Sequence, residues 1–206
     1  MTFDPLRLTR DKTLIPARTA VLIVDAQNTE IAPRYETEKP EYWAALHNRA
    51  LPAIERLIAG ARAAGCEIVY TVIEALTHDG RDRSLDHKLS GILVPKGSPD
   101  AQVIASIAPA ADDIVLPKTS SGVFNSTNIA YVLRNLGVEN VIVAGFLTDQ
   151  CVDMAVRDGA DQGFYMVCAE DACATHIEER HRWALRLFGG YCRVQTVDGV
   201  LASIGA

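Results

Sequence analysis

The sequence predicts an α/β fold: a doubly wound parallel sheet with helices on both faces. Three observations predict it. Six short apolar runs rich in Val and Ile alternate with longer stretches of helical patterning, and alternation of strand and helix implies parallel pairing through right-handed crossovers. The first and fourth runs, "AVLIV" (20–24) and "NVIVAGF" (140–146), are apolar without alternation, as in strands covered on both faces. Glycines stand where the helical stretches should stop, at 65, 137, 163 and 189. A chain of 206 residues, 49% of them hydrophobic, suits a single compact domain over 1–206.

The elements follow in order. "AVLIV" is the first strand. A helical stretch covers 41–65, with Leu51, Ile54, Leu57, Ile58 and Ala61 on one face and a kink or boundary at Pro52. "EIVYTVI" (67–73) is the second strand. The long irregular segment 74–100 comes next; loops of that length usually serve a site or an interface. "DIVL" (113–116) is the third strand, followed by a helix over 126–138. "NVIVAGF" is the fourth strand, and Cys151 opens the next helix (151–163). "FYMVCA" (164–169), a helix over 178–190 and "CRVQTV" (192–197) complete the order.

Composition excludes several function classes. A net charge of −6 without a basic stripe argues against nucleic acid, which requires a cationic face for its phosphates. No apolar run approaches the roughly 20 residues that cross a bilayer. The start, "MTFDPLRLTRDK", lacks the apolar core of a signal peptide, so a cytoplasmic location is expected. The five cysteines, at 66, 151, 168, 173 and 192, form no CxxC pair and no disulfide framework. No glycine-rich phosphate loop appears, which removes the nucleotide-binding reading of this sheet.

Open parallel sheets bind ligands beyond the carboxyl ends of their strands, where the strand order reverses. Three reactive side chains sit at such ends: Asp25 after the first run, Lys118 after the third and Cys151 after the fourth. Each alone has an ordinary reading as a cap, a surface cation or a buried thiol. Together they are complementary. A helix N-terminus and a lysine are expected to lower the thiol pKa, and a carboxylate is placed to take the proton.

The stretches "VLIVDAQN", "LPKTSSGVFNSTNI" and "VAGFLTDQCVDMAVRDGADQGF" resemble the isochorismatase-like cysteine hydrolases, over about Arg18 to Val197. The resemblance implies six parallel strands in the order 3-2-1-4-5-6, with Asp25 as base, Lys118 as its cationic partner and Cys151 as nucleophile. It further implies an oxyanion hole from the backbone N–H groups of Leu147 and Cys151, and a cis peptide between Phe146 and Leu147. No cofactor is implied, and a homodimer or homotetramer is the family habit. The expected activity is hydrolysis of a C–N bond in a small ureido, carbamoyl or amide molecule through a thioester, closest to ureidoacrylate-type amidohydrolases. Cleavage of a vinyl ether, as in isochorismatases, and a silent binding protein on the same fold are the alternatives.

Gln27, Asn28, Glu74, Phe124 and Phe146 are the candidate substrate-binding residues. His78, Asp79, Asp82 and His87 are the nearest thing to a metal set, but "HDGRDRSLDH" lacks the Asp-x-His pattern of nicotinamidases. The segment reads as a polar, salt-bridged loop without metal. Relatives often carry an aromatic residue soon after the Gln-Asn pair; here "TEIAPRY" follows, with Tyr35 further along.

Overall fold

A computed structural model of the chain describes residues 10–206. Most of the N-terminal stretch read above for a signal peptide, residues 1–9, lies outside them. The sheet contains β1 (Thr19–Val24), β2 (Glu67–Ile73), β3 (Ile114–Lys118), β4 (Asn140–Phe146), β5 (Tyr165–Ala174) and β6 (Cys192–Gln195). Their order is β3-β2-β1-β4-β5-β6, and every pair is parallel. The expected doubly wound topology is therefore present, with its reversal between β1 and β4.

Period-two alternation divides each central strand between two cores. Val21 and Ile23 of β1 join the cluster beneath the helices Leu51–Ala64 and Val197–Ile204. Ala20, Leu22 and Val24 join the opposite cluster, with the helices Ile129–Asn135, Asp153–Asp161 and Glu178–Phe188. Both faces are dry, which explains why β1 and β4 read as unbroken apolar runs: every residue of both strands is buried. The Leu51–Ala64 helix buries Leu51, Ile54, Leu57 and Ile58, each worth roughly 1.5–3 kcal/mol of transfer free energy. It ends at Gly65, whose φ of 86° lets its N–H reach back to the Ala61 and Arg62 carbonyls.

Several element boundaries differ from the sequence reading. The 41–65 stretch is segmented: Pro40–Ala45, a π-helical turn over Leu46–Ala50, then Leu51–Ala64 with Pro52 in its first turn. Proline has no N–H for the turn before it, and the wider turn sits there. β3 runs to Lys118, so the lysine is the strand's last residue rather than part of the segment that follows it. β5 continues through Glu170 and Asp171 to Ala174. Asp171 tolerates this position because its Oδ1 accepts the Val197 N–H at 2.7 Å. β6 stops at Gln195, and a further helix, Val197–Ile204, follows it.

Candidate active site

β1 delivers Asp25 at the reversal point, with φ 50°; it is the one non-glycine residue with positive φ among the described residues. Aspartate tolerates this region better than most side chains. Hydrogen bonds to its neighbours hold it there. Asp25 N–H donates to the Thr71 carbonyl at 3.0 Å, Gln27 N–H donates to the Asp25 carbonyl at 2.9 Å, and the Thr71 hydroxyl donates to Asp25 Oδ1 at 2.9 Å. On the other side, β4 approaches β1 very closely. Gly145 pairs with Val24 at φ 118°, and a Cβ there would collide with the Val24 backbone. Only glycine allows this approach, which brings the turn after β4 against the end of β1.

That turn is a π-helical turn, Thr148–Val152, and it contains Cys151. It follows the cis peptide Phe146–Leu147. From β3, Lys118 extends under the end of β1. Its ammonium lies 2.9 Å from Asp25 Oδ2, 3.4 Å from Cys151 Sγ and 2.8 Å from the Ser120 carbonyl. An ammonium has three N–H donors, and three acceptors surround this one. Lys118 is completely buried, Asp25 is 2% exposed and Cys151 is 5% exposed. Asp25 Oδ2 contacts the ammonium but receives no well-aligned hydrogen bond, so a lone pair is open to another donor.

Burial alone would lower the Lys118 pKa, but the Asp25 carboxylate and the Cys151 sulfur outweigh it and hold the ammonium above its ordinary range. The thiol departs from the sequence expectation. Burial, reinforced by the Asp25 carboxylate and only partly countered by Lys118, pushes Cys151 up to about 12. The helix start and the lysine do not lower it, because taking a thiolate out of water beside a carboxylate costs more than they return. The resting sulfur is therefore a thiol, and its ionisation needs a proton acceptor within contact. The Asp25 carboxylate is the acid group that interacts with this thiol.

Asp25 and Cys151 open onto a cavity of about 810 Å³, whereas Lys118 stays behind its wall. The 74–100 segment supplies one side of it, from Asp86 and from Ser90 to Val94. Phe146, Leu147 and Gln150 line the side next to the thiol, and Glu30, Arg34, Tyr35, Lys39 and His176 line another part.

The structure brings together Asp25, Lys118 and Cys151, with Phe146 and Leu147 in the same cavity. It treats the other candidates differently. Gln27 borders the cavity, but its amide is consumed in fastening strand ends: Nε2 donates to the Ile73 and Asp100 carbonyls, and Oε1 accepts the Ile73 N–H at 2.6 Å. Asn28 donates to the Pro99 carbonyl and is not in the cavity wall. Glu74 lies in a separate hollow and accepts the Gly97 N–H. Phe124 is buried against Phe164 in the core. For these residues, backbone groups or core packing claim what the sequence offered to a substrate.

Among the described residues, no group of three or more His, Cys, Asp or Glu is arranged to hold a metal. Asp79 pairs with Arg81, and Asp82 accepts from the Leu76 N–H and the Thr77 hydroxyl. His87 is buried with its Nε2 3.4 Å from the Ser121 hydroxyl. Burial and the nearby Lys118 charge lower its pKa, so it is neutral.

Sequence reasoning missed Glu30, Lys39, Tyr42 and His176. The Tyr42 hydroxyl donates to Glu30 Oε2 at 2.5 Å, and burial raises the Glu30 pKa despite that bond. Tyr42 also stacks edge-on against Phe146 and His176. The departure from the aromatic pattern after Gln27–Asn28 was the only signal. The segment has no periodicity that would place Glu30 inside.

The isochorismatase domain profile matches residues 19–198. A ureidoacrylate amidohydrolase, RutB, of Rhizobium rhizogenes is 30% identical, over 93% of this chain and 85% of its own length. A cysteine hydrolase from Pseudomonas syringae pv. phaseolicola has a TM-score of 0.83 at 25% identity, covering 94% of this chain and 95% of that one. An N-carbamoylsarcosine amidase from Thermoplasma acidophilum shares the fold, with a TM-score of 0.70 at 24% identity over 88% of this chain and 97% of that one.

Proposed function

We propose that this chain, which belongs to the isochorismatase family of hydrolases, is a cysteine-dependent amidohydrolase that cleaves a C–N bond of a small ureido, carbamoyl or amide substrate. The observation that carries this is the Cys151 sulfur on a cavity wall, in one cluster with a buried Asp25–Lys118 ion pair. A ureidoacrylate amidohydrolase among the relatives supports the substrate class.

The substrate carbonyl sits against Cys151. Asp25 takes the thiol proton as sulfur bonds to the carbonyl carbon, so a free thiolate is not needed at rest. The oxyanion forms beside the backbone N–H groups of Leu147 and Cys151, both in the cavity wall. Collapse breaks the C–N bond, and the proton on Asp25 goes to the departing nitrogen. Water then attacks the acyl carbon of the thioester, or of the thiocarbamate that a ureido or carbamoyl substrate leaves; Asp25 takes the water proton, the C–S bond breaks, and Asp25 returns that proton to sulfur. Lys118 remains an ammonium throughout. It neutralises Asp25 in a dry site and keeps the carboxylate oriented toward sulfur.

The test is an ammonia-release screen over ureido acids, carbamoyl amino acids, biuret and small amides, run beside Cys151→Ala. Ammonia from the wild type and none from the variant is the expected result. No ammonia from any compound favours vinyl-ether cleavage or a silent protein instead, and turnover that survives loss of the thiol excludes the thioester route.

A further inference from the structure

Beyond the reactive cluster, the cavity contains a cation without an acid partner among the described residues. Lys39 lines the same space as Asp25 and Cys151. Its Nζ lies 2.9 Å from His176 Nε2 and 4.1 Å from the centre of the Tyr35 ring. An ammonium can only donate, so Nε2 accepts and the His176 proton sits on Nδ1. Burial and the Lys39 charge push His176 down to about 4, which makes it a neutral acceptor rather than a counter-charge. Among the described residues the remaining Lys39 donors have no protein acceptor, and no carboxylate lies within ion-pairing distance. The nearby acids are otherwise engaged: Glu30 with the Tyr42 hydroxyl, and Asp149 with Arg180 and Thr175. A second cation, Arg34, stacks on the same Tyr35 ring at 4.9 Å and also lines the cavity. Its one acid partner among the described residues, Glu38, is 3.7 Å away with both side chains more than half exposed, a contact that holds an arginine only weakly.

We infer that Lys39, with Arg34 beside it, receives a carboxylate of the substrate, so that the favoured molecule is a small ureido, carbamoyl or amide acid whose anionic end lies away from the scissile carbonyl. This rests on the amidohydrolase reading and narrows it. Tyr35 and His176 fix the ammonium in place, and two N–H groups left for the ligand give charge-assisted bonds.

The experiment compares matched pairs: 3-ureidopropionate with 3-hydroxypropylurea, and succinamate with 4-hydroxybutanamide. Ammonia release is measured for wild type, Lys39→Met, Lys39→Arg and Cys151→Ala. The wild type is expected to prefer the acid of each pair. Lys39→Met lowers the acid-to-neutral ratio of kcat/KM by about 10- to 100-fold, mainly through KM, since a charge-assisted bond is lost in ground and transition states alike. Lys39→Arg restores part of the ratio. A wild-type preference for the neutral members, or a ratio that Lys39→Met leaves in place, overturns the inference while the amidohydrolase reading stands. Absence of Cys151-dependent ammonia from all four compounds overturns both.

Discussion

Lys118→Met removes the ammonium and keeps most of the volume. In the wild type the charge lies 2.9 Å from Asp25 Oδ2, with 0% and 3% of the two side chains exposed. At an effective dielectric of about 20, that contact is worth roughly 6 kcal/mol of gross Coulomb attraction. Much of it offsets the desolvation of both groups. What a truncation reads is the cost of a buried carboxylate left without its partner, about 3–5 kcal/mol. For a chain of this size, that lowers Tm by roughly 6–20 °C. The assay is thermal and urea unfolding of wild type, Lys118→Met, Asp25→Asn and the double variant. The double variant is expected to regain most of the loss, because two neutral side chains no longer demand compensation. The Lys118 pKa is raised in the fold above its ordinary 10.5, so its contribution is fully present below that pH and is lost only as pH rises beyond it. The wild-type advantage over Lys118→Met should thus hold between pH 7 and about 10. A loss below about 1 kcal/mol for the single variant, or a double variant no more stable than Lys118→Met, refutes the buried ion pair as a structural element.

Other outcomes follow from the same geometry. The thiolate absorbance assignable to Cys151, taken as the 240 nm difference between wild type and Cys151→Ala, should be absent from pH 6 to 9, because the thiol is pushed up to about 12; a thiolate signal near neutral pH contradicts this. Thr71→Val removes the hydroxyl that donates to Asp25 Oδ1 at 2.9 Å, a bond to a charged group worth about 1.5–3 kcal/mol. Turnover should fall at least tenfold with the fold retained by circular dichroism, and unchanged turnover counts against orientation of Asp25 by this bond. Gly145→Ala should unfold or aggregate, since its φ of 118° and the Val24 backbone leave no place for a Cβ; a soluble variant of wild-type Tm contradicts the close β1–β4 approach.

The sheet was legible because its central strands are dry on both faces, which writes them as continuous Val- and Ile-rich runs. The clustered trio was legible for a related reason: Asp25 and Lys118 stand at the ends of such runs and Cys151 follows one closely, where a polar or reactive group needs a purpose. The end of β5 was not, since Glu170 and Asp171 break the apolar run and are accommodated only by partners far along the chain, such as the Val197 N–H. The helix Val197–Ile204 is capped by the Thr196 hydroxyl, and Val197, Val200 and Ile204 are buried on it. That spacing is present in the sequence but is short and carries Gly199, a weak helix former. The substrate-side assignments were the least legible. Whether an amide such as Gln27 faces a ligand or fastens two strand ends depends on which carbonyls the fold brings to it. The sign of the Cys151 shift had the same difficulty, because burial and the Asp25 charge are properties of the assembled cluster.

In the proposed reaction, sulfur attacks the carbonyl while Asp25 removes its proton. The most direct measurement is ammonia release with the best substrate of the screen, for wild type and Cys151→Ala, with hydroxylamine present to intercept the acyl group. Steady ammonia and a hydroxamate, or for a ureido substrate an N-substituted hydroxyurea, are expected from the wild type, and neither from the variant. Wild-type rates of ammonia release from Cys151→Ala would contradict that reaction.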